Sequence, residues 1–506
     1  MNRRDFLKTS GLAFGALALP GCMEGLNLSG KSSQRPNILF IMSDDHAAQA
    51  MSCYASKINK TPNLDRIANE GIRFDNCFCT NSICTPSRAT ILTGKYSHKN
   101  GCLTLSDRFD ATQQTFPKLL QKAGYHTAVI GKWHLKTEPT GFDYWNVLPG
   151  QGKYFDPVMS ERRNFSPYEN YVTDIITDLA LDFLKTRPKD KPFCLCYHHK
   201  APHDMWEYDK KHAHLYEDID IPEPDNFFDD YKNRGRAIKR ATQKIGMEET
   251  VFLHGTQGDQ FDNVRREIAD LPPEQQKRRA YQYFIKAYLR CVASIDENTG
   301  RVLNYLDETG LKNNTIVIYT SDQGCFLGEH GLFDKRFMYE ESLRMPLIVR
   351  YPREVKPGSV NDDIVLNVDF AETFLDYAGA PLPSDMQGRS LRPLLRGKRP
   401  KNWRTSMYYR YWMHGAHFNV AAHFGVRTKR YKLIYYYGLP LNAKGAKRRP
   451  TPPEWELFDL KKDLREMNNV YRDPAYRAVV RKLKTELVRL RRELEDDNDG
   501  IVIDVG

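Results

Sequence analysis

The hydrophobic pattern of the chain is dominated by short, continuous apolar runs that are rich in β-branched residues and end abruptly in polar residues. The clearest runs are 37–42, 127–130, 193–197 and 315–319. They are apolar at consecutive rather than alternate positions, which is typical of strands buried on both faces of a parallel sheet. We therefore predict that these runs are strands of one central, mostly parallel sheet.

Helical patterns lie between these runs and stop at residues that end helices. The predicted helices are 63–69, 116–123, 171–185 and 281–306. Gly71 and Gly124 follow the first two, and Pro188 follows the third. Strands that alternate with helices indicate an α/β fold in which helices flank the sheet.

The pattern changes after about residue 388 to shorter strands without intervening helices. The strands predicted there are 406–411, 425–427, 431–437 and 455–460. An amphipathic helix at 476–494 follows them, with its apolar residues on one stripe. We expect a main domain at 22–388 and a smaller C-terminal α+β subdomain with an antiparallel sheet at 389–506.

The segment 205–279 is charged and irregular, and it is too long for an ordinary connection. We expect it to be an insertion that shapes the entrance to a binding site.

The first 21 residues are predicted to be an export signal rather than part of the fold. Arg3 and Arg4 begin a stretch that resembles a twin-arginine signal, and the apolar stretch 12–20 is too short to span a bilayer. The residues up to Cys22 resemble a bacterial lipobox, which predicts a lipid anchor there; a plain signal peptide with a chance cysteine is the alternative. We expect an exported, periplasmic or cell-surface lipoprotein of a bacterium.

Charge and cysteine content narrow the class of partner and site. The 506 residues carry a net charge of +11, which favours anionic partners such as sulfated or phosphorylated molecules. Export argues against nucleic acid, so we expect none as a partner. Without Cys22, nine of the ten cysteines remain, so at least one is unpaired or modified. Cys77, Cys79 and Cys102 leave disulfide pairing open, whereas Cys194 and Cys196 are predicted to be buried thiols.

Polar clusters follow the four main strands directly, at the edge where ligands bind in open α/β sheets. Each cluster alone fits an ordinary polar loop, but four in succession favour a common crevice. The side chains expected to meet there are Asp44, Asp45, Lys132, His134, His203, Asp322 and Gln323.

These side chains suggest a site for a cation and a tetrahedral anion. Asp44, Asp45, Asp322 and Gln323 offer only oxygen ligands, which suit Ca²⁺ or Mg²⁺ better than zinc. Basic groups beside a cation stabilise the charge that develops during sulfuryl or phosphoryl transfer, and a histidine can protonate the leaving oxygen. The candidates are Lys132, His134, His203 and Lys335.

The stretch "CTPSRATILTG" begins with Cys84 at the head of a predicted helix, beside Arg88. A helix N-terminus and a guanidinium both lower a thiol pKa, so a free thiol here is predicted to be activated. The stretch matches the signature C-x-P-S-R-x-x-x-L-T-G of the formylglycine-dependent sulfatases at every fixed position. "SDDH", "GKWHL", "APHD", "SDQG" and "GLFDKRFMYEESLRMPLI" resemble further motifs of that family. The resemblance extends over about 37–460.

The resemblance implies an alkaline-phosphatase-like fold with a small C-terminal antiparallel subdomain, and a catalytic domain at 22–388. It implies that a maturation enzyme converts Cys84 to formylglycine, whose hydrate attacks sulfur. The metal ligands it implies are Asp44, Asp45, the modified Cys84, Asp322 and Gln323, with Ca²⁺ expected and Mg²⁺ as the alternative. Gln323 stands where many relatives have asparagine, and its amide oxygen is expected to serve equally.

The resemblance also implies catalytic roles for the basic residues. Arg88 stabilises the nucleophile, and Lys132 and Lys335 hold the sulfate oxygens. His203 protonates the leaving alcohol, and His134 helps to remove a proton from the second hydroxyl of the hydrate.

The stretch 396–450 holds 14 Lys and Arg and no Asp or Glu. It is predicted to be either a solvated basic face or a subsite for a polyanionic glycan. The candidate substrate-binding residues are Arg108, His414, His417 and Arg427. We expect a sulfatase that acts on a sulfated polysaccharide or its oligosaccharides. A phosphodiesterase or phosphonate hydrolase of the same superfamily and a catalytically dead glycan-binding lipoprotein are the alternatives.

Overall fold

The computed structural model describes residues 35–246 and 266–506, and the predicted export signal and lipidation site at Cys22 lie outside these ranges. Its strands are β1 (Asn37–Ser43), β2 (Ile72–Phe74), β3 (Cys77–Phe78), β4 (His126–Lys132), β5 (Tyr144–Leu148), β6 (Val158–Glu161), β7 (Asn164–Pro167), β8 (Phe193–His198), β9 (Thr315–Ser321), β10 (Phe326–Leu327), β11 (Phe333–Asp334), β12 (Arg344–Met345), β13 (Leu347–Arg350), β14 (Ser359–Asn361), β15 (Val365–Leu366), β16 (Ser406–Tyr411), β17 (His423–Thr428), β18 (Tyr431–Tyr436) and β19 (Glu454–Asp459). Its helices include α1 (Pro62–Asn69), α2 (Cys84–Thr93), α3 (Ser97–Asn100), α4 (Phe116–Lys122), α5 (Val172–Thr186), α6 (Arg236–Arg240), α7 (Pro273–Glu308), α8 (Glu340–Leu343), α9 (Phe370–Ala378), α10 (Arg392–Leu395) and α11 (Arg477–Glu493).

The central sheet has ten strands in the order β14-β2-β13-β9-β1-β8-β4-β5-β6-β7. Its middle five strands, from β9 to β5, are all parallel, and the pairs β13–β9 and β5–β6 that border them are antiparallel. This confirms the predicted α/β class. The parallel strands place all their carboxyl ends at one edge, which is where the polar clusters lie.

Strand β1 shows why its sequence is continuously apolar. Ile38, Phe40 and Met42 face one hydrophobic cluster, whereas Leu39 and Ile41 face a second cluster on the other side of the sheet. Successive side chains of a strand point to opposite faces, so a sheet covered on both faces needs apolar residues at every position.

Helix α7 is longer than predicted because it begins at Pro273, eight residues before the predicted start and within the segment 205–279. Its first turns are polar and carry no apolar stripe, so periodicity alone missed them. The hydroxyl of Tyr288 on this helix donates to the Asp45 carbonyl at 2.7 Å and accepts from the Ala47 N–H at 2.8 Å. The helix therefore supports the loop that follows β1.

The C-terminal sheet is antiparallel, as predicted, with the order β16-β17-β18-β19, and α11 packs against it. The hydroxyl of Tyr409 on β16 donates to the Arg336 carbonyl at 2.6 Å and accepts from the Ser82 N–H at 3.1 Å. The sheet thus supports both the segment that enters α2 and the loop that carries Lys335.

The cysteines in the described ranges are all free thiols, Cys194 and Cys196 among them, and these two are buried as predicted. None of the described helices combines the length and apolarity needed to cross a membrane.

Candidate active site

Helix α2 presents Cys84 at its first position and is buried along its whole length. Pro86 lies in the first turn, where its missing N–H costs no helical hydrogen bond. The helix ends at Gly94, which adopts a left-handed conformation (φ 64°) and donates its N–H to the Thr90 carbonyl at 2.9 Å. The fixed proline and glycine of the motif thus hold a helix that points its N-terminus into the crevice.

Four oxygen-bearing side chains converge because β1 and β9 are adjacent parallel strands. Asp44 and Asp45 follow β1, and Asp322 and Gln323 follow β9. The Asp45 N–H donates to Asp322 Oδ1 at 3.2 Å, and one ligand atom of each of the three carboxylates lies within 4.8 Å of the others. Asp45 has a left-handed backbone (φ 65°), a conformation that clusters at functional sites.

This donor set fits a hard cation. Burial raises the pKa of Asp45, with Lys335 opposing the effect, so crowded carboxylates here need positive charge. Gln323 Oε1 is buried without a hydrogen-bond partner, while its Nε2 lies 2.5 Å from Asp45 Oδ1. Rotating the amide by half a turn would direct this oxygen toward the carboxylates and complete an all-oxygen set.

Three basic side chains surround the carboxylates. Lys335 Nζ lies 2.5 Å from Asp45 Oδ2, and Arg88 Nε lies 2.9 Å from Asp322 Oδ2. Lys132 contacts both the Asp44 carboxylate and Gln151 Oε1. Burial lowers the pKa of Lys132 well below its ordinary value. Burial alone would also lower the pKa of Lys335, but Asp334 and Asp45 raise it well above its ordinary value.

The Cys84 thiol is not activated, so the sequence-based prediction on this point is wrong. Its Sγ lies 3.4 Å from Asp44 Oδ1 and 3.6 Å from Gln323 Nε2. Burial raises its pKa to about 12, and Lys335 and Arg88 do not overcome that effect. A thiol at this position is protonated and unreactive at neutral pH.

The two candidate histidines line the same crevice. His203 Nε2 lies 3.8 Å from Asp45 Oδ2, and its Nδ1 contacts the Asp204 carboxylate. His134 follows β4, and its Nδ1 is buried without a hydrogen-bond partner. Burial lowers the pKa of both imidazoles, although Asp204 opposes the effect at His203. His134 is therefore a neutral imidazole at neutral pH, whereas His203 has a carboxylate beside it that favours the protonated ring.

Three further charged residues lie beside the crevice and were not among the predicted site residues: Lys200, Asp204 and Arg336. Lys200 Nζ lies 4.6 Å from the Tyr154 ring centroid and 3.3 Å from the Asp204 carbonyl. Arg336 Nε lies 2.7 Å from Asp334 Oδ2, and its Nη1 is buried without a hydrogen-bond partner. Only their position in the sequence could have identified them. Lys200 and Asp204 belong to the polar cluster after β8, and Arg336 follows Lys335 directly.

Two of the candidate substrate-binding residues are buried and already paired within the protein. Arg427 is buried, with Nε 2.8 Å from Glu340 Oε1 and its guanidinium 4.2 Å from the Phe78 ring centroid. His414 is also buried, and both ring nitrogens bond to backbone groups of Ala422 and Arg449. Their basic character suggested substrate contact, but long-range partners that the sequence does not reveal already occupy them.

Arg108 and His417 are both exposed, so their assignment as substrate-binding residues stays a prediction. The N–H of Phe109, next to Arg108, donates to the Leu135 carbonyl at 3.2 Å, which places Arg108 near His134. Beside His417, the ring of Phe418 lies 5.1 Å from that of Phe333.

Comparisons with known proteins agree with this geometry. The family model described as Sulfatase matches residues 36–380, and one described as N-sulphoglucosamine sulphohydrolase, C-terminal, matches 328–493. A curated relative from Bacteroides thetaiotaomicron, N-acetylglucosamine-6-O-sulfatase, is 45% identical over 96% of this chain and 91% of its own length. The N-acetylglucosamine-6-sulfatase of Homo sapiens is 29% identical over 78% of this chain and 70% of its own length.

A solved structure is also similar to this chain over nearly its full length. It is 44% identical, with a TM-score of 0.86, and covers 93% of this chain and 100% of the solved one. That protein was solved in complex with its substrate, D-glucosamine-2-N,6-O-disulfate. The likeness confirms the alkaline-phosphatase-like fold that the motifs implied. Because the Sulfatase model matches well over half of the chain and the 45% identical relative spans nearly all of it, the chain belongs to the formylglycine-dependent sulfatase family and is a sulfuric ester hydrolase.

Proposed function

We propose that this sulfatase removes the 6-O-sulfate from glucosamine residues of sulfated glycans, glycosaminoglycan oligosaccharides among them. The observation that carries the proposal is the 44% identity to a structure whose bound substrate is D-glucosamine-2-N,6-O-disulfate. The bacterial and human relatives are both named for 6-sulfatase activity on N-acetylglucosamine. This narrows the broader expectation of a sulfated polysaccharide to one sugar and one position.

Ca²⁺ is the cation that we propose for the site, with Mg²⁺ as the alternative. Its ligands would be Asp44, Asp45, Asp322 and Gln323, together with the converted side chain at position 84. When bound, such a cation supplies a Lewis acid that favours an anionic oxygen at that side chain.

The unreactive thiol of Cys84 is then a precursor rather than the nucleophile. A maturation enzyme would oxidise it to the formylglycine aldehyde, whose hydrate presents two hydroxyl groups. One hydroxyl oxygen attacks sulfur as the sugar alcohol leaves. Loss of a proton from the other restores the aldehyde and expels sulfate, so the covalent route needs no separate hydrolysis.

The surrounding side chains bind the sulfate and move its protons. Lys132 and Lys335 would hold sulfate oxygens, and Arg88 fixes the Asp322 carboxylate at 2.9 Å. His203 donates a proton from Nε2 to the leaving sugar oxygen, while Asp204 orients the ring from the Nδ1 side. His134 is neutral, so it can accept the proton of the second hydroxyl.

We also propose that the chain is exported and carries a lipid anchor at Cys22, as the lipobox-like residues before it suggest. In a bacterial host, labelled palmitate should be incorporated into the wild-type chain and not into Cys22→Ala. Equal incorporation into both would contradict the anchor.

The substrate proposal is tested by measuring sulfate release after coexpression with a formylglycine maturation enzyme. The panel would contain N-acetylglucosamine 6-sulfate, glucosamine-2-N,6-O-disulfate, the 3-sulfated isomer and N-acetylgalactosamine 4-sulfate. We expect release from the two 6-sulfated glucosamines only, and none with Cys84→Ala.

Mass spectrometry of position 84 makes a negative result informative. No release despite conversion of Cys84 would overturn the proposed substrate, and turnover of a phosphodiester in the same assay would favour the phosphodiesterase alternative. An unconverted Cys84 in protein from the native host would favour the catalytically dead glycan-binding alternative.

A further inference from the structure

A cavity of about 770 Å³ lies where the C-terminal sheet meets α6. Three segments form it: α6, the loop between β16 and β17, and the loop between β18 and β19. Its charged and polar lining includes Arg236, Arg240, Asn419, Lys447, Arg449 and Glu454. A volume of this size falls within the range of pockets that bind small ligands.

The cavity has an excess of positive charge. Glu454 is its one acidic lining residue, and this carboxylate accepts the N–H groups of Arg236 at 2.7 Å and Ala237 at 2.6 Å. It also lies 3.5 Å from Arg236 Nε. Arg240, Lys447 and Arg449 have no acidic partner within 35–246 and 266–506. Three cations that lack an acidic partner among the described residues surround one concave surface, and such a surface attracts an anionic ligand.

The buried ring of His414 holds the wall that carries two of these cations. Its Nδ1 accepts the Ala422 N–H at 3.1 Å, and its Nε2 donates to the Arg449 carbonyl at 3.0 Å. Its own carbonyl accepts the Lys447 N–H at 2.7 Å. His414 therefore positions Lys447 and Arg449, and it also lines the cavity itself.

The same wall continues to the catalytic crevice. Asn419 Nδ2 donates to the Arg240 carbonyl at 3.0 Å. Gln243, three residues after Arg240, donates from Nε2 to the Lys335 carbonyl at 3.0 Å. Phe418 lies under the Arg336 guanidinium, which is 5.3 Å from its ring centroid. The loop that holds Phe418 and Asn419 thus contacts both the cavity wall and the segment that carries Lys335 and Arg336.

We propose that this cavity binds a second, anionic sugar residue of the same saccharide whose 6-sulfate is cleaved. Arg240, Lys447 and Arg449 would pair with its sulfate or carboxylate groups. The proposal rests on the proposed function, and it assigns the cavity a preference for oligosaccharides over monosaccharides.

The test compares two triple variants in protein converted at Cys84. Arg240→Ala/Lys447→Ala/Arg449→Ala removes the lining cations. Lys239→Ala/Lys444→Ala/Arg448→Ala removes the same number of exposed charges from neighbouring positions that do not line the cavity. Each is assayed on glucosamine-2-N,6-O-disulfate and on a sulfated tetrasaccharide with a terminal 6-sulfated glucosamine.

We expect the lining variant to raise KM for the tetrasaccharide at least tenfold with kcat unchanged. Its kcat/KM for the monosaccharide, which has no second sugar residue, should stay within twofold, as should all values for the control variant. An unchanged tetrasaccharide KM, or an equal loss on both substrates, would overturn the proposal.

A binding measurement keeps the two proposals distinguishable. If the wild type cleaves neither substrate, the proposed function fails, and the cavity is then tested by calorimetry on Cys84→Ala with and without the lining substitutions. Tenfold weaker tetrasaccharide binding in the lining variant supports the cavity, and equal binding overturns it. An uncharged tetrasaccharide that binds as tightly as the sulfated one overturns the preference for anions.

Discussion

Charged side chains serve opposite purposes in the catalytic crevice and in the basic cavity beside the C-terminal sheet. In the crevice, the side chains of Lys335 and Asp45 are only 3% and 6% exposed and lie in direct contact. In the cavity, Arg240, Lys447 and Arg449 are exposed and lack an acidic partner within the described ranges.

The difference follows from solvation. Buried charges cost a large desolvation free energy, but they are held rigidly and act strongly on a reacting group. Exposed charges cost little, are screened by salt, and attract a ligand without orienting it closely. Substitutions in the crevice should therefore change catalysis, whereas those in the cavity should change only substrate affinity.

The largest effect is expected at Cys84. Cys84→Ala removes the side chain that is converted, so sulfate release should fall by at least about 10⁴-fold, as for the loss of other covalent nucleophiles. The melting temperature should stay within about 2 °C, because the thiol makes only weak contacts. Wild-type turnover by this variant would contradict the assignment of the nucleophile.

Lys335 and Arg427 are both buried cations, but we expect the first to act in catalysis and the second to stabilise the fold. Lys335→Ala should lower kcat/KM by about 10²–10³-fold, because a charge-stabilising donor at the reacting group is lost. Arg427→Ala should instead lower the free energy of unfolding by about 3 kcal/mol, because it leaves the largely buried Glu340 with one cation fewer. Urea denaturation with sulfate-release kinetics measures both. Unchanged kcat/KM in Lys335→Ala, or unchanged stability in Arg427→Ala, would contradict these roles.

Cation binding should be visible in stability as well as in activity. Ca²⁺ at 100 times its Kd should stabilise the fold by about 2.7 kcal/mol, because the native state alone assembles the carboxylates. A thermal scan after chelation and after Ca²⁺ addition measures the shift, with Asp322→Ala as the variant expected to show none. Gln323→Asn, which retains an amide oxygen, should keep most of the stabilisation by Ca²⁺. An equal shift in Asp322→Ala would argue against the site.

A pH-dependent effect on stability is expected behind α2, where Glu372 on α9 lies against the end of the signature helix. Burial raises its pKa to about 8, and Asp369 adds to the rise. The folded state therefore binds a proton that the unfolded state releases above about pH 4.5, and stability should fall as pH rises from about 5 to 8. Glu372→Gln should flatten this dependence. Urea unfolding at several pH values measures it, and identical slopes for both proteins would contradict the raised pKa.

The sequence by itself determined the main elements and most of the charged side chains that meet in the catalytic crevice. Strands such as β1 and β9 are buried on both faces, so their apolar runs were unmistakable, and polar residues at their ends had to meet at one edge. The signature around Cys84 then identified the chemistry. Strands of two to four residues, such as β3 and β10, went unpredicted because so short a run carries no period.

Only the tertiary structure decided what each charged group does. The Cys84 pKa rises because the fold surrounds the thiol on all sides, whatever its place on a helix. Arg427 pairs with Glu340, and His414 with the backbone near Arg449, across separations of 87 and 35 residues. Burial and pairing are set by contacts between segments far apart in the chain. The local pattern of hydrophobic and polar residues therefore does not predict them.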